Sequence, residues 1–233
     1  MIPWLDDLSF PPVSEALEDP NGLLAAGGDL SPERLLLAYR QGIFPWFDDH
    51  QPILWWSPDP RAVIYPKDIH ISRSLAKRLR RQEFQFSFDR CFAQVVAACA
   101  APRHDNAGTW ITDEMLEAYL QLHQQGYAHS LEVWHNTQLV GGLYGVSLGK
   151  LFFGESMFSR VSDASKAAFV ALAKQCAAWN FGLIDCQIAN PHLSSMGATT
   201  ISRHEFVDIL DQYADLPHPK GCWSFSIDTG ALL

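Results

Sequence analysis

The chain has 233 residues and a formal net charge of −9, and 48% of its residues are hydrophobic against 18% charged. This composition predicts a folded core in one large domain or two modest ones and excludes a disordered chain. The acidic charge argues against a protein that coats nucleic acid over its whole surface, although a local basic patch remains possible. No apolar run approaches the ~20 residues that span a bilayer, and the first residues carry no basic segment typical of a signal peptide. The five cysteines form no C-x-x-C pair, so we expect a reduced, cytoplasmic protein without a membrane anchor.

Residues 1–62 are rich in proline and tryptophan, which predicts a small, loop-rich N-terminal domain. One helix is indicated there, because Ser31 can cap it, Pro32 suits its first position and Gly42 follows its end. Residues 63–233 are predicted to form a second, larger domain.

Helix signals recur in the second domain. Helices are predicted over 72–81, from a cap at Asp89 through Ala100, from Thr112 to Gly126, from Ser162 or Asp163 to just before Gly182, and from a capping box at Ser202-Arg203-His204-Glu205.

Three strands are predicted at 131–134, 139–146 and 151–158, and their short connections imply an antiparallel meander. A further strand at 183–188 follows a long helix, which requires a crossover and so suggests parallel pairing with the strand at 151–158. The expected fold class is therefore α/β (α+β) with a mixed, mostly antiparallel sheet.

Two acidic residues in apolar strands are candidates for chemistry. Asp185 and Gln187 alternate with Cys186, so they are expected to share one face of the strand as a carboxylate base and an orienting amide. A hydrogen-bonded structural pair or an edge strand facing water would give the same pattern. Glu155, beside Gly154, could line the same cleft as Asp185, or it could form a salt bridge to Arg160 or Lys166.

A basic run stands out in this acidic chain. Its members are Arg73, Lys77, Arg78, Arg80 and Arg81, five of the 17 basic residues. They form either a solvated helix face or a patch that binds phosphate. Aromatic residues in connections, such as Trp46 and Trp110, are either core residues or stacking platforms for bases.

Metal and nucleotide signatures are not found. The nine histidines and five cysteines show no metal-ligand spacing, and the chain contains no phosphate loop, G-x-G-x-x-G or G-x-S-x-G motif.

Long blocks in fixed order resemble the leucyl/phenylalanyl-tRNA–protein transferase family. The blocks are Asn21-Gly22-Leu23-Leu24-Ala25-Ala26-Gly27-Gly28-Asp29-Leu30-Ser31-Pro32, Gly42-Ile43-Phe44-Pro45-Trp46, Leu54-Trp55-Trp56-Ser57-Pro58-Asp59-Pro60-Arg61, Gly108-Thr109-Trp110-Ile111-Thr112, Gly154-Glu155-Ser156-Met157-Phe158-Ser159 and Ile184-Asp185-Cys186-Gln187.

The resemblance implies an enzyme that takes Leu or Phe, and less well Met, from Leu-tRNA or Phe-tRNA. It joins that residue to a protein that begins with Arg or Lys, which marks the protein for degradation in the N-degron pathway. The reaction would be an ester aminolysis without ATP, metal or cofactor, in which aminoacyl-tRNA is a co-substrate. The implied fold of the second domain is that of GCN5-related N-acyltransferases, and a monomer is expected.

The resemblance also assigns roles to residues. Asp185, Gln187 and Glu155 correspond to catalytic positions, and Tyr39, Trp46 and Trp110 to aromatics around the 3′-terminal adenosine. The implied amino-acid pocket is lined by Leu143, Phe152, Phe169, Leu172 and Ile184, with Leu143 replacing the family's usual Met.

Two other classes of function compete with this interpretation. One is a CoA-dependent N-acetyltransferase, although the stretch 159–164 lacks the glycines that would cradle a pyrophosphate. The other is a non-enzymatic RNA- or peptide-binding module, which would bind charged tRNA without turnover.

Overall fold

The computed structural model describes residues 2–101, 111–217 and 221–232. Its strands are β1 (Trp4–Leu5), β2 (Leu23–Gly27), β3 (Phe44–Pro45), β4 (Leu54–Trp56), β5 (Arg61–Ile64), β6 (Gln85–Phe88), β7 (Ala128–His135), β8 (Gln138–Leu148), β9 (Leu151–Ser159), β10 (Leu183–Gln187) and β11 (Thr199–Ile201). Its helices are α1 (Pro32–Arg40), α2 (Arg73–Leu79), α3 (Phe92–Ala100), α4 (Asp113–Gln124), α5 (Ala164–Ala178), α6 (Pro191–Ser194) and α7 (Arg203–Tyr213).

Two sheets organise the chain. A small sheet near the N-terminus has the order β1-β2-β4-β3, and a seven-stranded sheet has the order β11-β5-β10-β9-β8-β7-β6. All neighbours in the larger sheet pair antiparallel except β9 and β10, which are parallel. The mixed, mostly antiparallel sheet predicted from the sequence is thereby confirmed.

The meander and its crossover helix agree with the sequence patterns. Strands β7, β8 and β9 pair in succession, and α5 then returns the chain to β10 beside β9. Helix α5 is almost entirely buried, because its small Ala-rich surface packs on one face of the sheet. Helices α1, α3 and α4 pack with the small sheet against the other face.

Four predicted helix starts have a side-chain cap, whereas Asp163, the N-cap residue of α5, forms no side-chain cap hydrogen bond and Asp89 is not an N-cap residue. The side chains of Ser31, Ser72, Thr112 and Ser202 each accept a hydrogen bond from a backbone N–H in the first turn of their helix. Asp89, in contrast, does not cap α3, whose N-cap is Cys91. The Asp89 carboxylate instead accepts hydrogen bonds from the backbone N–H groups of Ser130, in β7, and Trp223. Asp89 itself has a positive φ of 55°.

The C-terminal segment 221–232 packs against the sheet on the α5 side. Trp223 is buried there against Phe88, Phe152 and Trp179, and its backbone is held by Asp89. The proposed boundary between 1–62 and 63–233 stays a prediction; strand β5 joins the larger sheet at Arg61, and one core cluster includes residues from both parts.

Candidate active site

A cavity of about 800 Å³ opens where β9 and β10 separate. The two strands pair only as far as Phe153 and Asp185, so the backbone beyond these residues parts and leaves a cleft in the sheet. Cavities of roughly 300–1,000 Å³ are typical of ligand sites, and a gap in a sheet lets one cavity contact side chains from both faces.

One side of the cavity is apolar. It is lined by Leu143, Met157, Phe152, Phe169 and Leu172, all from the core cluster between the sheet and α5. The structure thus brings together four of the five residues predicted for an amino-acid pocket. Ile184 is fully buried in the same cluster but is not among the residues that line the cavity.

Met157 was missed by sequence reasoning. It lies directly opposite Leu143 in the β8–β9 register, so the two side chains share one face of the sheet. Strict alternation along β9 would place Met157 on the face opposite Phe152, so only the register shift between β8 and β9 brings the two side chains together.

The opposite side is polar and centres on Glu155. Its Oε1 accepts hydrogen bonds from the Tyr39 hydroxyl at 2.8 Å and from Gln187 Nε2 at 3.0 Å, and its Oε2 accepts from the Tyr119 hydroxyl at 2.6 Å. The alternative salt bridges to Arg160 and Lys166 are not formed, since Arg160 donates to the Leu139 carbonyl and Lys166 approaches Asp163. Burial raises the pKa of Glu155 to about 7, although its two tyrosine hydrogen bonds act in the opposite direction.

A β-bulge places Glu155 in this network. The β8–β9 register shifts between Tyr144 and Gly145, which leaves Glu155 as the extra residue of β9. Gly154 was expected to permit close backbone approach, but a Cβ there would meet only the Asp185 carbonyl at 3.4 Å, an ordinary contact. The tight position is Gly145, whose added Cβ would lie 2.1 Å from the Phe153 carbonyl oxygen.

Asp185 is fully buried and forms a bidentate ion pair with Arg61. Arg61 Nε lies 2.8 Å from Oδ1, and Arg61 Nη2 lies 2.7 Å from Oδ2. Oδ1 also accepts the backbone N–H of Gln187 at 2.9 Å. The protein thus takes three of the roughly four acceptor sites of this carboxylate, which supports an orienting role, although Asp185 also lines the cavity.

Gln187 does not follow the strict alternation that the sequence predicted. The β10–β5 register shifts between Asp185 and Gln187, and Gln187 has a φ of 62°. This bulge, anchored by Asp185, directs the side chain of Gln187 to Glu155. Because its Nε2 is engaged there, its Oε1 is the atom left to accept a hydrogen bond from a ligand.

The predicted aromatic residues occupy different environments. Trp46 lines the cavity and is 42% exposed, as a stacking platform requires. Tyr39 is fully buried and its hydroxyl contacts Glu155, while its assignment to the adenosine site stays a prediction. Trp110 lies outside the described residues. Tyr119 and Arg61, which complete the network, were not identified as site residues from the sequence.

The basic run lies on α2 and the turn after it. Arg73, Lys77, Arg80 and Arg81 are exposed, which suits either a solvated face or phosphate binding. Arg78 is half-buried over the ring of Phe84, and both Arg78 and Arg81 approach Glu83 within 4 Å. Glu83 therefore partly offsets the positive charge of the run.

The fold and site together define a mixed α/β protein with a two-sided cavity where two strands separate. Comparisons with known proteins identify the family to which it belongs. The family described as leucyl/phenylalanyl-tRNA protein transferase matches residues 63–211, and the N-terminal domain of the same family matches residues 28–59.

Relatives named leucyl/phenylalanyl-tRNA–protein transferase match nearly the whole chain. The protein of Pseudomonas fluorescens strain SBW25 is 60% identical over 225 residues, covering 96% of this chain and 99% of its own. That of Pseudomonas aeruginosa is 58% identical over 227 residues, covering 97% and 100%. The chain therefore belongs to the leucyl/phenylalanyl-tRNA–protein transferase family and is a transferase.

Solved structures align less completely. The structure of L-PGS from Bacillus licheniformis has a TM-score of 0.40 and 12% identity, covering 79% of this chain and 59% of its own. A GCN5-related N-acetyltransferase-like protein from Streptococcus suis has a TM-score of 0.33 and 14% identity, covering 69% and 60%. Among the described residues, no helix is both long and apolar enough to cross a bilayer.

Proposed function

We propose that this transferase moves Leu or Phe, and less well Met, from its aminoacyl-tRNA to proteins that begin with Arg or Lys. The observation that carries the proposal is the two-sided cavity, with an apolar wall on one side and Glu155 on the other. An apolar wall fits the side chain of Leu or Phe, and a carboxylate fits the positive charge of a basic first residue.

The reaction is the aminolysis of an activated ester. The neutral α-amine of the acceptor attacks the ester carbonyl, the ribose 3′-oxygen leaves, and the proton lost by the amine ends on that oxygen. The ester already carries the required free energy, so the proposal includes no ATP, metal or cofactor. Holding the two substrate ends together supplies much of the rate enhancement.

Gln187 and Glu155 are the residues proposed to touch the acceptor. The amide oxygen of Gln187 accepts a hydrogen bond from the α-amine, which orients the nitrogen lone pair towards the ester. Glu155 balances the charge of the basic side chain, and Tyr39 and Tyr119 hold Glu155 in place. Asp185 and Arg61 act as positioning residues, because they fix the backbone of Gln187.

Trp46 is proposed to stack on the terminal adenosine, and the basic residues around α2 are proposed to contact the acceptor-stem backbone. In the cell, the products would be substrates of the N-degron pathway in the cytoplasm.

The test is transfer of labelled Leu from charged tRNA to matched peptides that begin with Arg, Lys or Ala. We expect transfer to the Arg and Lys peptides and little to the Ala peptide. Charging one tRNA with Leu, Phe, Met, Ile or Val then tests the apolar wall, which should reject the branched Cβ of Ile and Val by shape. Equal transfer to the Arg and Ala peptides would refute the acceptor assignment, and equal transfer of Leu and Ile would refute the pocket.

A further inference from the structure

The hydroxyl group of Tyr144 has no hydrogen-bond partner among the described residues. Tyr144 lies on β8 and is among the residues that line the cavity, but its side chain is fully buried and its hydroxyl oxygen has an accessible area below 1 Å², so a ligand must displace a neighbouring side chain to reach it. A buried hydroxyl without a partner costs roughly 1–3 kcal/mol, and such groups are rare in folded proteins. A ligand that enters the cavity would supply the missing partner.

The surroundings of this hydroxyl indicate which ligand group fits. The ring of Tyr144 contacts the ring of Tyr119 edge-on at 5.3 Å, and the Tyr119 hydroxyl binds Glu155. Burial, together with the nearby charge of Glu155, raises the pKa of Tyr144 well above its usual value, so its hydroxyl stays protonated and neutral. Tyr144 therefore adds a neutral acceptor oxygen on the side of the cavity where the acidic group lies.

We propose that Tyr144 is a specificity-determining residue whose hydroxyl oxygen accepts a hydrogen bond from the basic side chain of the acceptor's first residue. The proposal rests on the proposed function, because Glu155 balances the charge of that same side chain. A guanidinium carries five N–H donors and an ammonium three, and the oxygens of Glu155 are shared with two tyrosines and Gln187. A further hydrogen-bond acceptor, besides the oxygens of Glu155, is therefore needed for the N–H donors of the basic side chain.

The experiment compares Tyr144→Phe with a matched control. Ser147 lies on the same strand and is also buried with an unpartnered hydroxyl, but it does not line the cavity. Ser147→Ala therefore removes an equivalent hydroxyl without touching the proposed ligand. Both variants are assayed for transfer to the Arg, Lys and Ala peptides at saturating Leu-tRNA, and separately for the KM of Leu-tRNA.

For Tyr144→Phe we expect the KM of the Arg peptide to rise about tenfold or more, the size expected for a hydrogen bond to a charged group. The kcat, the KM of Leu-tRNA and the weak use of the Ala peptide should be unchanged. Thermal stability should be equal to the wild type or higher, because an unpaired buried hydroxyl is removed. Ser147→Ala should leave the peptide KM values at the wild-type level.

Three results would overturn the inference. An unchanged KM for the Arg and Lys peptides would remove the proposed contact, while a rise in the KM of Leu-tRNA instead would place the hydroxyl on the donor. A parallel loss of stability and of all kinetic parameters would indicate a structural role. If the wild-type protein does not favour basic peptides, the proposed function itself fails, and that result precedes any comparison of variants.

Discussion

Three side chains at the centre of the site lie in mutual hydrogen-bond contact. Tyr39 and Tyr119 are 2.6 Å apart, and each also contacts Glu155. Three contacts require three protons, but the two tyrosines bring only two. When Glu155 is ionised it accepts from both tyrosines, and the contact between the two hydroxyls then lacks a proton; protonation of Glu155, whose pKa is raised to about 7, supplies the third. Near neutral pH this group is therefore poised between charge states.

The first prediction concerns stability and pH. The folded-state pKa of Glu155 is raised from 4.5 to about 7, so its stabilising contribution is complete below pH 4.5 and is lost as pH rises through about 7. Glu155→Gln carries a permanent N–H in place of that proton. We expect the variant to gain thermal stability relative to the wild type above pH 7 and to lose that advantage at pH 5. Melting curves of both proteins are recorded at the two pH values. The same difference in melting temperature between variant and wild type at each pH would contradict the assignment.

The second prediction concerns the buried ion pair. Asp185→Asn leaves the Arg61 guanidinium buried without its counter-ion, and breaking such a pair typically costs about 3–5 kcal/mol. We therefore expect a clear loss of stability by denaturant titration as well as a loss of transfer.

A double variant separates the two effects. Arg61→Met combined with Asp185→Leu fills the same space without charge, so much of the stability should return. Transfer should stay low, because the backbone of Gln187 has lost its anchor. Recovery of both stability and transfer would show that the carboxylate has no role beyond folding.

At the scale of elements, the β-bulge in β9 determines where Glu155 points. The third prediction compares two glycines beside it. Gly145→Ala places a Cβ 2.1 Å from a backbone oxygen and 2.7 Å from the ring of Phe152, so β9 must shift. We expect a large loss of thermal stability and of transfer, whereas Gly154→Ala should be tolerated. Similar melting temperatures for the two variants would show that the bulge is not rigid.

The fourth prediction concerns helix α2. Arg73, Lys77 and Arg80 are exposed, and no described acid is within ion-pair distance of them, whereas Glu83 engages Arg78 and Arg81. Replacing the first three with Ala should raise the KM of charged tRNA, and each lost phosphate contact should lower the salt slope by about 0.7–0.9. An aminoacyl-adenosine donor, which has no stem, serves as the control. Equal losses on both donors would indicate that α2 supports the fold.

Local patterns explain which elements were predictable. The meander, helix α5 and four helix caps depend on neighbouring residues, so the sequence was sufficient for them. The partner of Asp185 is 124 positions away, and only the tertiary fold reveals that Arg61 reaches it. The alternation rule failed at Gln187, because a bulge there follows from pairing with β5.

For the molecule as a whole, Arg61 connects the two parts of the chain. Its guanidinium lies between the rings of Phe44 and Phe206, donates to the Gly42 carbonyl and pairs with Asp185. The residues before β5 and helix α7 thus meet at the same buried cation that pairs with Asp185 of β10. Because Phe44 and Asp185 also line the cavity, changes in this contact should alter the cavity walls and transfer together.

The opposed walls of the cavity also determine how far the reaction proceeds. Once Leu has been joined to an acceptor, the product begins with an apolar residue and its basic residue is moved to the second position. Under the proposed function, the product would no longer suit the side of the cavity around Glu155, so we expect the reaction to be self-limiting. We expect mass spectrometry of an Arg peptide, incubated with excess Leu-tRNA, to show one added Leu and no ladder. Repeated addition of Leu to one peptide would mean that the cavity does not select acceptors by the charge of their first residue.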